Sequence, residues 1–332
     1  MKQLIQSPIS TALLKILKTR RPTNDPNGNV RLMHFLLHKN GIKNWITDPH
    51  GNTHLTICHT DGSLPKTCFT SHTDTVDNKR GDNMIVVDHQ GMASVLGGGV
   101  LGADDGAGMY IMLEMILEDV PGHYVFFSTE EQGRVGSMKY NMPEHVQVCV
   151  SFDRKGTKDL ITHQMGERGC SDAFADSLIA QLAQHGLDYE KDPTGSFTDS
   201  YSFFSTVPEC INLSCGYYNQ HTKQESLDTV FLEHLIDAVV LLDWESLTVE
   251  RDPSKVEFED DWGWHMGKFG SHSGYKFKSH ALRDYNMEDY EDILDESDTL
   301  LELCTDYPDV AAALLDTYAI TVQDFKDFGG MR

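Results

Sequence analysis

The sequence predicts an α/β protein: a doubly wound, mostly parallel sheet with helices on both faces, followed by a small acidic helical C-terminal module. Three observations carry that expectation. Short apolar runs at 67–71, 123–128, 147–152 and 210–214 alternate with amphipathic stretches, the pattern of parallel strands covered on both sides. The chain has 332 residues, 39% of them hydrophobic, enough for one large core or two ordinary ones. Charge is uneven: residues 250–332 hold 20 Asp and Glu against 8 Lys and Arg, half of the chain's formal charge of −24, so the composition breaks near Asp252-Pro253.

Taken in order, the chain opens with an amphipathic helix over 10–18, where Leu13, Leu14, Ile16 and Leu17 recur at helical spacing. A polar turn at 23–28 leads to a second helix over 30–39. Residues 46–47 and 54–57 flank a Gly/Asn turn and read as a hairpin. Strands at 67–71, 123–128, 147–152 and 210–214 follow, with helices over 105–117, 171–185 and 227–247. Residues 1–250 thus form the main domain, 251–285 a linker or irregular strap rich in aromatic, His and Gly residues, and 286–332 the acidic module, with Pro308 breaking its helical spacing.

Composition excludes several classes of function. A charge of −24 opposes nucleic acid and anionic membrane as partners, because both need a positive face. The N-terminus lacks an uninterrupted apolar segment of the secretory kind, and no apolar run reaches the ~20 residues of a membrane helix. Seven scattered cysteines without a close pair indicate neither a disulfide framework nor a thiolate zinc site. A cytoplasmic location is the expectation.

Metal-type side chains gather after the strands. His72-Thr73-Asp74 follows the first, Asp104-Asp105 opens the long helix, Glu130-Glu131 follows the next strand, Asp153 the next, and His221 lies beyond the last. In a parallel sheet those strand ends share one edge. Two imidazoles with carboxylates and no thiolate suit zinc or a similar divalent ion in a catalytic site. Five ligands exceed the needs of one catalytic ion, so two ions bridged by a carboxylate, about 3.5–4 Å apart, are chemically reasonable. Each piece alone has a plainer reading: Ser128 to Glu131 has capping-box spacing, Asp104-Asp105-Gly106 suits a helix cap, and Asp153-Arg154-Lys155-Gly156 suits a charged turn.

The ordered set SHTDTV, LGADDGAG, STEEQG, SFDRKG and GYYNQH resembles the co-catalytic zinc exopeptidases, the superfamily of aminopeptidase Y, bacterial leucyl aminopeptidases, tripeptidase T and the glutamyl aminopeptidases. The likeness spans roughly residues 10–250. It implies that Asp104 bridges two metals, that His72 and Asp153 complete one and Glu131 and His221 the other, and that Glu130 is the general base. It also implies that Asp74 orients the His72 imidazole, a role with an independent physical reason. Zinc is the expected ion, with cobalt or manganese as alternatives.

Spacing narrows the resemblance. Only 30 residues separate Asp74 from Asp104 and 68 separate Asp153 from His221, which leaves no room for an inserted accessory or lid domain. The expected activity is an aminopeptidase acting on peptides. A deacylase, carboxypeptidase or aminoacyl cyclase on the same scaffold, or a non-catalytic binding protein, remains the alternative. Tyr217 and Tyr218 are candidates for the substrate pocket, and the acidic module for contact with a second copy or a protein partner.

Overall fold

A computed structural model describes residues 9–257. The expected acidic module at 286–332 and residues 258–285 of the expected strap lie outside the described residues.

Helix α1 (Thr11–Lys18) starts where the Ser10 hydroxyl accepts the N–H of Leu13 at 3.0 Å, and it buries Leu13, Ile16 and Leu17. Helix α2 (Pro26–Lys39) corrects one expectation. Its first turn is the polar stretch read as a turn, because Asp25 caps it and Pro26 takes the first helical position, where a missing N–H costs nothing. The hairpin of β1 (Ile46–Thr47) and β2 (Thr53–Ile57) is as expected, and β3 (Thr67–His72) is buried along its whole length.

A second hairpin, β4 (Ile85–Val87) and β5 (Met92–Val95), precedes α3 (Ala103–Leu117). Strand β6 (Gly122–Phe127), the short helix α4 (Val135–Met138) and β7 (Val148–Arg154) come next. Three short strands, β8 (Asp159–Ile161), β9 (His163–Gln164) and β10 (Glu167–Arg168), lead to α5 (Asp172–Gln184), capped by Ser171. The described chain closes with β11 (Glu190–Asp192), β12 (Glu209–Ser214), β13 (Tyr217–Tyr218), β14 (Ser226–Asp228) and α6 (Thr229–Val239). Helix α6 is shorter than expected. The chain restarts as a 3-10 turn over Trp244–Ser246, capped by Asp243, and the Trp244 indole N–H donates to the Val239 carbonyl at 3.0 Å.

The main sheet has eight strands in the order β1-β2-β6-β3-β7-β12-β8-β11. Its centre, β6-β3-β7-β12, is parallel, while β1, β2 and the β12-β8 contact add antiparallel neighbours. Alternation along these strands separates two cores. Phe69, Tyr124, Phe126, Val150 and Ile211 join the residues buried by α1, α2, α3, α5 and α6. Cys68, Val125, Phe127, Cys149 and Cys210 join Phe203, Phe204 and Val207 in a smaller cluster beside short segments. The α/β class holds, with the long helices all contributing to the larger core. The four parallel strands end together at the edge that carries His72 and Asp153. No helix among the described residues is long and apolar enough to cross a membrane.

Candidate metal centre

His72 is the last residue of β3, held among three acids. Its Nε2 lies 3.0 Å from Asp104 Oδ1 and 3.7 Å from Asp153 Oδ1, and its Nδ1 lies 3.0 Å from the Asp74 carbonyl and 3.6 Å from the Asp74 carboxylate. His221 sits across the same acid: its Nε2 is 3.1 Å from Asp104 Oδ2 and 3.2 Å from Glu131 Oε1. Asp104 therefore offers one carboxylate oxygen to each imidazole. Two groups with metal-ligand spacing result, His72–Asp104–Asp153 and Asp104–Glu131–His221, and Asp104 belongs to both.

Each candidate ligand is set by its local chain. Asp104 and Asp105, joined by a cis peptide bond, have non-helical backbone angles at the start of α3. Asp105 turns inward, accepting the N–H groups of His72 and Gly108 at 3.1 and 3.0 Å. Gly108 is required there: a Cβ would fall 2.4 Å from the Phe152 carbonyl oxygen and 2.6 Å from Asp105. Asp153, near the end of β7, accepts the Thr198 hydroxyl and, at 3.1 Å, the Tyr217 hydroxyl, while Asn212 brackets its backbone on both sides.

Glu130 and Glu131 open a short 3-10 turn, and the capping-box reading fails. Thr129 precedes the turn with φ of 58°, and no side chain caps it. The backbone N–H groups of Glu130 and Glu131 instead point at Asp74, at 3.0 and 3.3 Å. Asp74, fully buried, thus joins the His72 loop to the glutamate turn.

Acids outnumber imidazoles here, and their proton affinities record it. Burial raises Glu130 well above the usual carboxyl range, and Asp199, Asp153 and Glu131 add to it against the pull of His72. Burial likewise raises Asp153, Glu131 and Asp105. Burial opposes the His72 imidazolium, yet Asp104, Asp153 and Asp74 outweigh it and push its pKa well up. His221 rises to about 10 because Asp104 and Glu131 flank it. Asp104 moves the other way: burial resists, but His221 and His72 hold it ionised. One buried oxygen, Oε1 of Glu131, accepts no hydrogen bond despite lying 3.2 Å from His221. A crowded carboxylate set with a shared acid, two imidazoles and an unsatisfied oxygen is a donor set that fits hard or borderline divalent cations.

The structure brings His72, Asp74, Asp104, Glu130, Glu131, Asp153 and His221 to one place. Tyr217 is 2% exposed and bonded to Asp153, and Tyr218 follows it, partly buried, on β13. Sequence reasoning missed Arg21, Asp199 and Glu225, all buried around the same centre.

Comparison with solved structures gives the fold its relatives. Aminopeptidase PepT from Bacillus cereus is 14% identical with a TM-score of 0.57, covering 69% of this chain and 95% of its own. The chain has the fold of these peptidases. A tripeptidase from Staphylococcus aureus is 16% identical with a TM-score of 0.57 over the same shares. The TET1 peptidase of Pyrococcus horikoshii, described as assembling into a tetrahedron or a large octahedral shell, is 14% identical with a TM-score of 0.51, covering 64% of this chain and 93% of its own. The fold implied by the resemblance in the motifs is therefore the fold found. No protein-family model and no curated protein matches the sequence.

Proposed function

We propose that the protein is a metal-dependent aminopeptidase whose centre holds two divalent cations on either side of Asp104. The observation that carries this reading is that one carboxylate belongs to both candidate ligand groups. His72 and Asp153 would complete one group, Glu131 and His221 the other. Zinc fits the nitrogen and oxygen donors, with cobalt or manganese as alternatives. Bound there, the cations would supply Lewis acidity and an activated water for attack on a peptide carbonyl.

The chain's own residues supply the rest. Glu130 stands next to Glu131 in the same turn, a position from which its carboxylate would take a proton from water and return it to the leaving amine. The Asp74 carbonyl accepts the His72 Nδ1–H, and the Asp74 carboxylate accepts the amides of Glu130 and Glu131 and so holds the glutamate turn. Tyr217 and Thr198 hold Asp153 in place.

The fold of PepT and the TET1 peptidase supports this reading, and the assembly described for TET1 makes a homo-oligomer the natural quaternary expectation. The acidic residues 286–332 are the proposed contact for a second copy or a protein partner. Six unpaired cysteines among the described residues fit a cytoplasmic setting.

The test is mass-spectrometric cleavage of a peptide panel with free and blocked termini, by protein loaded with zinc, cobalt or manganese and again after chelation. Stepwise loss of N-terminal residues that stops at blocked amines and vanishes on chelation supports the proposal. Cleavage only of acylated or C-terminal substrates would favour the deacylase or carboxypeptidase alternatives, and no cleavage under any metal would favour a binding protein.

A further inference from the structure

Two charged side chains beside the centre have no place in the proposed chemistry. Arg21 and Glu225 are 0% and 1% exposed. Arg21 donates to three backbone carbonyls, those of Ile16, Thr73 and Gly102, at 2.7, 2.9 and 2.6 Å. Glu225 accepts three backbone N–H groups, those of Leu101, Gly102 and Asp104, at 2.7, 3.0 and 3.0 Å. They meet at Gly102: its carbonyl goes to Arg21 and its N–H to Glu225.

The surrounding sequence makes room for this arrangement. Gly102 has φ of 71°, and a Cβ on it would sit 3.2 Å from Arg21 Nη2; a Cβ on Gly106 would sit 3.0 Å from the same nitrogen. Burial lowers the Arg21 guanidinium to about 10, with Glu225 the leading opposing charge, so it stays protonated at neutral pH. Such a pair is costly to bury and weak evidence for stability by itself. Its three-fold backbone contacts explain its placement better: Thr73 lies between His72 and Asp74, Asp104 is the shared acid, and Glu225 stands four residues beyond His221.

We infer that Arg21 and Glu225 form one buried positioning clamp that sets the 101–104 loop, and with it the Asp104 carboxylate, against both histidine-bearing loops. The affinity of both metal groups then depends on residues that touch neither ion. The inference rests on the reading of Asp104 as a shared ligand. The two residues act through the same glycine, so their effects are coupled.

The experiment is calorimetric titration of zinc into the chelator-stripped full chain and into E225Q, R21K and the double variant, with circular dichroism and thermal melting of each. Either single change is expected to weaken zinc about 10–100-fold, the range for loss of a group that orients ligands. The double variant is expected to bind no more weakly than the worse single one, with secondary structure unchanged. Zinc affinity at the wild-type level in E225Q, whatever its melting temperature, would reduce the clamp to a fold stabiliser and overturn the inference. Additive losses in the double variant would overturn the coupling. If R21K does not fold, E225Q and the shorter E225D decide the matter, the clamp requiring weakened zinc in both. A wild-type chain that takes up no zinc would instead retire the shared-metal reading on which the inference stands.

Discussion

The carboxylate of Asp74 accepts the backbone N–H of Glu130 at 3.0 Å. That bond, a second from Glu131 and a 3.6 Å approach of the same carboxylate to His72 Nδ1 place Asp74 between the candidate imidazole ligand and the proposed base. The change D74N keeps the volume but replaces an acceptor oxygen with a donor facing N–H groups. It is expected to weaken metal about 10–100-fold and to leave turnover depressed even at saturating metal, because the glutamate turn loses its anchor. Metal titration followed by kinetics at saturation separates the two effects.

Glu130 and Glu131 are adjacent yet should fail differently. E130Q is expected to keep full metal content while turnover falls by about 10²-fold or more, the contribution of general acid–base catalysis. E131Q is expected to lose metal from the group containing His221. Metal analysis beside peptide hydrolysis distinguishes the pair, and equal metal content with undiminished activity in both would contradict the assignment.

Asp199 is buried beside these acids, and burial, with Asp153 adding and His72 and Ser137 opposing, lifts its pKa from the ordinary 3.8 to about 7. In the unfolded chain the group ionises near the lower value, so between about 4 and about 7 the unfolded state holds fewer protons and folding stability falls as pH rises. D199N lacks this titration. Melting of the metal-free proteins should show wild type losing stability relative to D199N across that window; parallel pH profiles would contradict the burial of an ionisable Asp199.

A stability control lies at the other end of the chain. Asp25 caps α2 through the N–H of Gly28 at 3.2 Å. D25A should cost about 1 kcal/mol of stability and leave zinc affinity unchanged. Chemical denaturation beside metal titration checks both.

What could be read from the sequence follows from physics. His72, Asp104, Glu130, Glu131, Asp153 and His221 were legible because strand ends in a parallel sheet share an edge, so chemistry-bearing residues after each strand converge whatever their separation. Arg21 and Glu225 were not, because their partners are backbone groups such as Gly102 and Asp104, 81 and 121 residues away, and backbone leaves no residue-type signature. The Asp25 cap was misread since the same polar residues serve turns and helix starts. The end of α6 was misread because its apolar spacing continues through Leu241 and Leu242 into a 3-10 turn.

One carboxylate, that of Asp104, is proposed to serve two cations. A crystal of the zinc-loaded protein, measured on both sides of the zinc absorption edge, tests it directly. Two anomalous peaks about 3.5–4 Å apart, one beside His72 and Asp153, the other beside Glu131 and His221, with Asp104 between them, is the predicted result. A single peak, or peaks away from Asp104, would contradict it.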